Sequence, residues 1–491
     1  MTQPNRDRPR ALVLGASGYV GTHLVPFLAS RGFAVRAAAR RVEALEARGW
    51  TGVEVMAANA LDATSLDRAL ASVQVAYYLV HSMAAGAQFP QLDRQAAVAF
   101  REAAARAGVQ RIVYLGGLLP AQADASAHLA SRAETGALLR EGPVPVTEVR
   151  AGMIIGPGSA AFEVIRDLVF HLPAMVTPRW VRSRSQPIAL DDVLEVLARL
   201  PAIEQAAGAV YDVGGPEVLT YEDLMRQFGE LVGRRPLILP VPVLTPRLSS
   251  YWLDLVTAVP ANVARALIEG LAHDVLADDA PIRALIPLKL QTYREAARAA
   301  LAAERRPHGG QVAAGVTSAR WVEGSMLFRR ERADFAFYAK HMRAVATAEA
   351  GVEAVWHEVA SIGGDNGYYF LDALWSLRGT LDRWSGGRGL TRGRRDPRAL
   401  AIGDAIDFWR VVGLEAGRRL TLLAEMKLPG AATLGFELQP LGERHTRIAV
   451  TASFHPAGVK GLLYWHAMAP AHALIFPGLS RAIAQRAAAR A

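Results

Sequence analysis

A glycine-rich loop between a short apolar run and a helical pattern constrains the first third of this chain more than any other feature. The loop reads Gly15-Ala16-Ser17-Gly18-Tyr19-Val20-Gly21, with the apolar run Ala11–Leu14 before it and the helical pattern Val20–Ser30 after it. Glycines in this setting let the backbone approach a pyrophosphate at a helix N-terminus, whose amide dipoles favour negative charge. The loop therefore predicts a dinucleotide-binding site. The alternative is a turn that serves only tight helix–strand packing.

Strand and helix patterns alternate through the rest of this region. Five more apolar runs are predicted as strands: Ala34–Ala39, Val53–Ala57, Val75–Val80, Arg111–Leu115 and Val144–Val149. Helical patterns separate them, most clearly at Gln91–Ala107 and His128–Leu139. Strands alternating with helices predict an α/β fold, a doubly wound parallel sheet of the Rossmann type. The cofactor is then expected at the carboxyl ends of the strands.

The end of the second predicted strand distinguishes between the two nicotinamide dinucleotides. NAD sites usually carry an acidic residue there for the ribose 2′-hydroxyl, whereas this chain reads Ala38-Ala39-Arg40-Arg41. Two guanidinium groups suit a 2′-phosphate through charge-assisted, forked hydrogen bonds. We therefore expect NADP(H), with NAD(H) as the alternative. Because the chain is rich in arginine, these two residues could also be solvated surface residues.

Composition excludes several classes of site. The chain has no cysteine, which excludes disulfides, thiolate catalysis and cysteine-ligated metals. His466 and His472 are six residues apart and His357 lacks a second zincin histidine, so no metal site is expected. The net charge of +9 comes from arginines spread over every segment, which favours a solvated basic surface over nucleic-acid binding. The polar start, Met1–Arg10, is unlike a secretory signal, so a cytoplasmic location is expected.

The length of 491 residues requires more than one core. We predict a Rossmann domain over residues 1–310, with a small substrate lobe at about 156–310 and a linker at Arg305–Gly310. Helices are expected in this lobe at Thr220–Leu231, Ser249–Val256 and Asn262–Leu271. Residues 321–491 are expected to form an α+β domain. Its predicted elements are the strands Leu420–Met426, Ala432–Leu438 and Thr446–Ser453 and a helix over Lys460–Ala489.

The loop pattern Gly-x-x-Gly-x-x-Gly, the β/α units and the segment Arg150–Gly158 resemble the extended and atypical short-chain dehydrogenase/reductases. The likeness is strongest to the NmrA-like group and to relatives of the accessory Rossmann subunit of respiratory complex I. It covers residues 10 to about 305. It implies an NAD(P)-binding fold and oxidoreductase chemistry.

The resemblance also assigns residues to the two ends of the cofactor. Asn59 falls where an aspartate often contacts adenine, and Ala60 and Leu61 are implied to line the adenine pocket. His81 and Ser82 are implied to lie on the nicotinamide side.

The chain departs from this family at the catalytic positions. Active members use Ser, Tyr and Lys, the last two spaced as Tyr-x-x-x-Lys, whereas this chain has His128 and Arg132 there. The serine position falls at Gly116 or Gly117. His128 could act as the acid, since an imidazole titrates at about 6.5. Arg132 could orient the ribose, although it cannot titrate as lysine does. The alternative is that His128 is only a residue at a helix N-terminus.

The C-terminal region resembles the START-like, polyketide-cyclase-like helix-grip folds. The resemblance rests on Ser361–Tyr369, Asp382–Trp384, Asp404–Arg410 and the predicted strands and final helix. It implies an apolar ligand between sheet and helix, although aromatic residues in such a domain more often form the core. The run Gly386–Arg395, with four arginines, could grip a phosphate or lipid head group or be a solvated loop.

These features favour an NADP(H)-dependent oxidoreductase acting on an apolar carbonyl or quinone-like substrate. The alternative is a non-catalytic NADP(H)-binding redox sensor or assembly factor whose C-terminal domain binds an apolar ligand. A third possibility is peripheral contact with a membrane surface through that domain. No protein partner and no oligomeric state follow from the sequence.

Overall fold

The computed structural model describes residues 8–46, 48–81, 88–120, 126–241, 273–305, 319–322, 325–328, 339–384, 400–401 and 403–490. They form two compact units, one built from the described residues up to 305 and the other from those after 339. A two-stranded pair, Ala319–Val322 with Ser325–Phe328, lies between them in sequence.

Strands and helices are numbered in chain order. The strands of the first unit are β1 (Arg10–Leu14), β2 (Ala34–Ala39), β3 (Glu54–Ala57), β4 (Val75–Tyr78), β5 (Arg111–Gly117), β6 (Val146–Ala151), β7 (Ile154–Ile155), β8 (Ala174–Pro178), β9 (Arg184–Ser185), β10 (Ile188–Ala189), β11 (Val210–Val213), β12 (Leu219–Thr220) and β13 (Leu237–Val241). Its helices are α1 (Tyr19–Ser30), α2 (Glu43–Glu46), α3 (Ala63–Leu70), α4 (Phe89–Arg106), α5 (Ala127–Arg140), α6 (Ala160–His171), α7 (Leu190–Arg199), α8 (Tyr221–Leu231), α9 (Ala280–Leu285) and α10 (Tyr293–Arg305).

A parallel sheet in the order β3-β2-β1-β4-β5-β6-β11 forms the centre of the first unit. Ala11 and Val13 of β1 point into the core that includes α1 and α7, while Leu12 and Leu14 point into the core that includes α3 and α4. Alternate residues of one strand are thus buried on opposite faces, as a sheet covered by helices on both sides requires. The predicted doubly wound Rossmann sheet is confirmed.

The six predicted strands of this sheet are present, with ends that differ by up to two residues. The seventh strand, β11, was not predicted. Its run Val210–Val213 is only four residues long, contains Asp212 and has a single buried residue, Val213, so it carries little apolar signal.

The small lobe contains a helix whose N-terminus the sequence predicted. The hydroxyl of Thr220 accepts a hydrogen bond from the Asp223 amide (3.1 Å), and the Asp223 carboxylate accepts one from the Thr220 amide (3.0 Å). This reciprocal capping box starts α8. The rings of Phe162 on α6 and Phe228 on α8 meet edge to face in the lobe's core. The predicted helices Ser249–Val256 and Asn262–Leu271 and most of the linker lie outside the described residues.

The second unit is an antiparallel sheet with a long C-terminal helix. After the pair β14 (Ala319–Val322) and β15 (Ser325–Phe328), its strands are β16 (Lys340–Ala348), β17 (Ala405–Ile406), β18 (Trp409–Glu415), β19 (Arg419–Ala424), β20 (Gly430–Pro440) and β21 (Thr446–Pro456). Its helices are α11 (Val352–Ala360), α12 (Asp372–Trp384) and α13 (Gly458–Arg490). The strand order is β16-β21-β20-β19-β18-β17, and α13 packs against β16 and β21.

The three predicted strands of this unit correspond to β19, β20 and β21, and the predicted helix corresponds to α13. The expectation of three strands is corrected to six among the described residues. In β16 most side chains are exposed or half-buried, so that strand carries little apolar signal. The Gly386–Arg395 run lies outside the described residues. Among the described helices, none is long and apolar enough to cross a membrane.

The glycine-rich stretch Ser361–Tyr369 joins α11 to α12. The Tyr368 hydroxyl donates to the Asp407 carboxylate (3.0 Å), and its ring stacks on Trp375 at 4.4 Å between centroids. The stretches Ser361–Tyr369 and Asp404–Arg410 therefore meet inside the second unit. The rings of Tyr368 and Trp375 are part of its hydrophobic core.

Candidate functional site at the carboxyl edge of the parallel sheet

The sheet places its switch point between β1 and β4. The chain runs outward from β1 to β2 and β3 and then returns to the other side of β1 with β4. Connections leave in opposite directions there, which opens a crevice at the carboxyl ends of the strands. The glycine loop follows β1 and therefore lies at this crevice.

The glycine loop is shaped so that side chains are excluded at two positions. Gly15 has φ +90°, and a Cβ on it would lie 2.8 Å from the Leu79 carbonyl oxygen. A Cβ on Gly21 would lie 2.4 Å from the Gly15 carbonyl oxygen. Because both obstacles are backbone atoms, only glycine fits at these positions. The amides of Gly15 and Ala16 donate to the Ala38 carbonyl (3.0 and 3.1 Å), which ties the loop to β2.

The N-terminus of α1 offers amides to an anion. Gly18 is the N-cap without a side-chain cap, and the first turn carries no acidic residue. The helical ladder starts when the Thr22 amide donates to the Gly18 carbonyl (2.9 Å), so the first-turn amides before it have no helical acceptor. A pyrophosphate would fit this N-terminus through those amides and the helix dipole.

Arg40 and Arg41 follow β2 directly beside this loop. Both are exposed, and neither has an ion-pair or hydrogen-bond partner among the described residues. Arg36 of the same strand is different, since it is buried, donates to the Ala69 carbonyl (2.6 Å) and pairs with Glu54 (3.0 Å). The strand and the residues after it thus contain one arginine held by protein groups, Arg36, and two arginines that no described residue pairs with.

The predicted adenine-side residues lie in the loop after β3. The Asn59 side-chain oxygen accepts a hydrogen bond from the Leu61 amide (3.2 Å), which closes a local turn. Ala60 is buried, whereas Leu61 leaves nearly half of its surface exposed. Their contact with adenine stays a prediction. Ser82, predicted on the nicotinamide side, lies outside the described residues.

Two histidines and an aspartate form a hydrogen-bonded chain on the other side of the crevice. His81 follows β4, Asp93 lies on α4, and His128 lies in the first turn of α5. Nδ1 of His81 is 2.6 Å from Oδ2 of Asp93, and Nε2 of His81 is 2.7 Å from Nδ1 of His128. The hydroxyl of Ser131 also donates to Oδ2 of Asp93 (3.1 Å). We call Asp93, His81 and His128 the histidine relay.

The order of partners assigns the protons in the relay. A carboxylate only accepts, so Nδ1 of His81 carries a proton and Nε2 of the same neutral ring accepts. Nδ1 of His128 must then donate to His81, which leaves Nε2 of His128 unprotonated. No described residue hydrogen-bonds to that Nε2 atom. The terminal nitrogen of the relay is thus able to exchange a proton with a substrate oxygen.

Burial sets the charge state of both rings. It lowers the pKa of His128 to about 3, with further lowering by the nearby Arg132 and by His81. Burial also lowers the pKa of His81, but its hydrogen bond to the Asp93 carboxylate opposes that shift. Both imidazoles are therefore neutral in the free protein near neutral pH. A proton entering the relay is better stabilised on His81, which contacts the carboxylate, than on His128.

Arg132 is anchored to the protein. Its guanidinium donates to the Leu115 carbonyl (2.5 Å), and its own carbonyl accepts from the Tyr114 hydroxyl (2.8 Å). A Cβ on Gly117 would lie 3.1 Å from the Leu129 side chain and 3.6 Å from Nε of Arg132. A Cβ on Gly117, one of the two positions where the resemblance places a serine, would thus require a small shift of the Leu129 side chain. The positive charge of Arg132, held in this place, lowers the pKa of His128 and of His81. Its contact with the ribose stays a prediction.

Sequence reasoning identified His81 and His128 separately but missed Asp93 and Ser131. Asp93 is 2% exposed and lies on the same helical stripe as Ala96, Ala97 and Phe100. A carboxylate on the buried stripe of a helix needs a partner, because an unpaired buried charge is costly. That break in the apolar pattern of α4 was the available signal.

The low pKa values predict acid sensitivity. An unfolded histidine titrates at about 6.5, so below that pH the unfolded chain binds more protons than the folded one. The folding free energy that depends on a neutral His128 is fully present above pH 6.5. It is lost as the pH falls from 6.5 toward 3. We expect the difference in unfolding free energy between wild type and His128→Asn to fall by about 1 kcal/mol per pH unit below pH 6.5. Urea unfolding at pH 7, 6 and 5 measures this, and parallel losses in both proteins would contradict it.

Two segments of the chain match known protein families. Residues 8–156 match the NmrA-like family, and residues 334–479 match a family described as a protein of unknown function, DUF2867. The N-terminal segment is thus similar to the NmrA-like family and contains a parallel sheet of the Rossmann type. Comparison with curated proteins gives no match.

Three solved structures match about 60% of this chain. Triphenylmethane reductase from Citrobacter sp. is 18% identical with a TM-score of 0.50, covering 60% of this chain and 99% of that one. An NADPH-dependent quinone oxidoreductase complexed with NADPH, from Escherichia coli, is 20% identical with a TM-score of 0.49, covering 59% and 98%. UDP-glucose 4-epimerase from Thermotoga maritima is 16% identical with a TM-score of 0.46, covering 60% and 97%. At these identities the likeness concerns the fold alone.

Proposed function

We propose that the NmrA-like domain binds NADP(H) and that the protein is an NADP(H)-dependent oxidoreductase acting on an apolar carbonyl or quinone-like substrate. The observation that supports NADP(H) as the cofactor concerns Arg40 and Arg41. Both follow β2 beside the glycine loop and have no anionic partner among the described residues. Two guanidinium groups suit a 2′-phosphate.

The residues present fit this cofactor. The backbone positions of Gly15 and Gly21 exclude a Cβ, as a loop that a pyrophosphate approaches closely requires. The first turn of α1 would bind the pyrophosphate, and Asn59 to Leu61 would contact the adenine. When bound, NADP(H) supplies or accepts the hydride, and the protein supplies orientation and the proton.

The histidine relay would supply the proton. For reduction, the neutral relay first takes up one proton from solvent at Nε2 of His128, and the Nδ1 proton of His128 passes to Nε2 of His81, which becomes imidazolium. Nε2 of His128 then gives its proton to the carbonyl oxygen while Nδ1 of His128 takes one back from Nε2 of His81. His81 returns from imidazolium to neutral imidazole and keeps its Nδ1 proton against Asp93. Oxidation of an alcohol runs the same transfers in reverse. This arrangement replaces the tyrosine and lysine of the larger family with a carboxylate-supported imidazole pair.

Asp93 and Ser131 are positioning residues in this scheme. The Asp93 carboxylate stabilises the charge on His81, because a buried carboxylate at 2.6 Å favours the protonated ring. Ser131 holds Oδ2 of Asp93 from α5, the helix that also carries His128. The extra proton therefore resides on His81, beside the Asp93 carboxylate, and His128 transfers a proton to the substrate.

A non-catalytic NADP(H)-binding sensor is the second candidate. It is favoured by the loss of the Tyr-x-x-x-Lys pair, whose positions hold His128 and Arg132, and of the serine, whose position falls at Gly116 or Gly117. The second unit would then sense an apolar ligand. Its order of one strand, two helices, five strands and a long helix is consistent with a helix-grip, START-like domain.

The test is turnover. Purified protein is mixed with NADPH and a panel of quinones and aldehydes, and loss of absorbance by NADPH is followed. The proposal predicts NADPH oxidation with at least one acceptor and little with NADH. Tight NADPH binding without turnover on any acceptor favours the sensor.

A further inference from the structure

The turn between β17 and β18 is buried and carries a carboxylate. Ile406 pairs with Trp409, so Asp407 and Phe408 are the two residues of a hairpin turn. Turns ordinarily lie at the surface, whereas Asp407 is 6% exposed and Phe408 is fully buried. Asp407 has φ +53°, as the first residue of such a turn requires, and glycine is the residue that adopts this φ without strain. An aspartate here is therefore unfavourable both for the backbone and as a buried charge.

The described residues use one oxygen of this carboxylate. Oδ2 of Asp407 accepts hydrogen bonds from the Gly364 amide (3.0 Å) and from the Tyr368 hydroxyl (3.0 Å). Burial and the Asp407 charge raise the pKa of Tyr368, so its hydroxyl keeps the proton that it donates. Oδ1 is buried without a hydrogen-bond partner, and no described lysine, arginine or histidine pairs with Asp407. A buried carboxylate is costly without a positive partner, so the free oxygen points to a ligand that supplies one.

Aromatic rings lie beside the carboxylate. The Tyr368 and Trp375 rings are stacked with their centroids 4.4 Å apart, and the Phe408 ring is 6.2 Å from each and nearly parallel to both. Nε1 of Trp375 is buried and has no hydrogen-bond partner among the described residues. Aromatic faces attract cations, tryptophan most strongly. We call Asp407, Tyr368, Trp375 and Phe408 the Asp407 site.

The chain around the Asp407 site is acidic, although the protein as a whole carries a net charge of +9. The two stretches that meet there, 361–377 and 400–409, contain four aspartates and no lysine, arginine or histidine. Asp365 and Asn366 are exposed, so the loop that carries Tyr368 reaches the surface. A negative field of this kind favours the approach of a cation.

Backbone strain is concentrated at the same place. Four non-glycine residues have positive φ in the part of the chain that the structure describes. Ser72 lies in the first unit, and the other three are Tyr369, Leu371 and Asp407. Strained residues of this kind persist where the surrounding structure fixes them, and they cluster at ligand sites. The strain is thus a second observation, independent of charge, that points to the Asp407 site.

We propose that the Asp407 site binds a small organic cation, with an ammonium group against Oδ1 of Asp407 and its apolar part against the Trp375 and Phe408 rings. The inference concerns only the second unit, so it does not depend on the proposed cofactor or reaction. A metal ion matches less well, because Ca²⁺ takes six to eight oxygen ligands. The described residues contain no group of three or more carboxylates or histidines that could hold a metal.

Calorimetric titration of the full-length protein tests the proposal, with 2-phenylethylammonium as the probe and 2-phenylethanol as its uncharged match. The cation is expected to bind saturably and at least about tenfold more tightly than the alcohol. Asp407→Asn keeps an acceptor for Gly364 and Tyr368 and tolerates the positive φ, but it removes the charge. We expect this variant to bind the cation about tenfold or more weakly than wild type.

Asp365→Asn is the matched control, since Asp365 is an exposed aspartate of the loop that carries Tyr368. It removes the same charge and is expected to bind the cation within about twofold of wild type. Trp375→Phe keeps a ring against Tyr368 but attracts a cation less, so its binding is expected to be about threefold weaker. This variant decides the question if Asp407→Asn does not fold.

The expected pattern is binding of the cation that Asp407→Asn or Trp375→Phe weakens and Asp365→Asn retains. No binding of the cation, or equal binding of the alcohol, overturns the proposal. Wild-type affinity in Asp407→Asn, or an equal loss in Asp365→Asn, also overturns it. Wild-type affinity in Trp375→Phe overturns the contact with that ring. Saturable binding of calcium chloride that excludes the probe assigns the site to a metal ion and overturns the proposal as well.

Discussion

Replacing His128 by asparagine is expected to lower the rate of NADPH turnover by about 10²- to 10⁴-fold, the range for loss of a general acid. The asparagine amide can still donate toward Nε2 of His81, so the hydrogen bond of the relay is retained in form. It has no nitrogen that titrates near neutral pH, and proton delivery is lost. Stopped-flow measurement of the hydride-transfer step, together with NADPH affinity by fluorescence, separates chemistry from binding.

His466→Asn is the control, since His466 is an exposed histidine on α13. It is expected to leave turnover unchanged, and both variants are expected to bind NADPH within about twofold of wild type. Asp93→Asn is expected to lower turnover less and to shift the pH profile, because it removes the charge that stabilises protonated His81. If His128→Asn keeps more than half of the wild-type rate, His128 is not the proton donor.

Replacing Arg40 and Arg41 together by alanine is expected to weaken NADPH binding by about 10- to 100-fold. Charge-assisted hydrogen bonds contribute about 1.5–3 kcal/mol each, and exposure of both arginines reduces that figure. NADH lacks the 2′-phosphate, so its affinity is expected to change by less than about twofold. Isothermal titration of both nucleotides against both proteins measures the difference.

The control is the pair Arg226→Ala/Arg294→Ala. These arginines lie on α8 and α10, are exposed, and pair with Glu222 and Glu230. Their loss removes the same charge from the protein without touching the crevice. A similar fall in NADPH affinity in this control would show a general field effect. Equal falls for NADPH and NADH in the Arg40/Arg41 variant would contradict the phosphate assignment.

The sequence predicted the Rossmann sheet because its signals are local. Ala11–Leu14 is apolar on both faces of a buried strand, and the glycines that follow it occupy positions where backbone atoms exclude a Cβ. The signal for the start of α8 was equally local, because Thr220 and Asp223, three residues apart, hydrogen-bond to each other's backbone amides. Such features depend on neighbours in the chain and can be recognised without the fold.

The histidine relay could not be predicted as a unit. His81, Asp93 and His128 come from a loop and two helices, and their contacts arise only when α4 and α5 pack side by side. The prediction of strands in the second unit was incomplete for a similar reason. Its edge strand β16 pairs with β21, about 100 residues later in the chain, and most of its own side chains are not buried. Burial that depends on distant partners leaves little pattern in the strand itself.

The most direct test of the central claim is a fluorescence titration of the wild-type protein with NADPH and with NADH. The glycine loop and the two arginines predict saturable binding of NADPH, at least about tenfold tighter than binding of NADH. Equal affinities would leave the Rossmann site in place and remove the role of Arg40 and Arg41. Failure to bind either nucleotide would contradict the account of the first unit as a cofactor-binding domain.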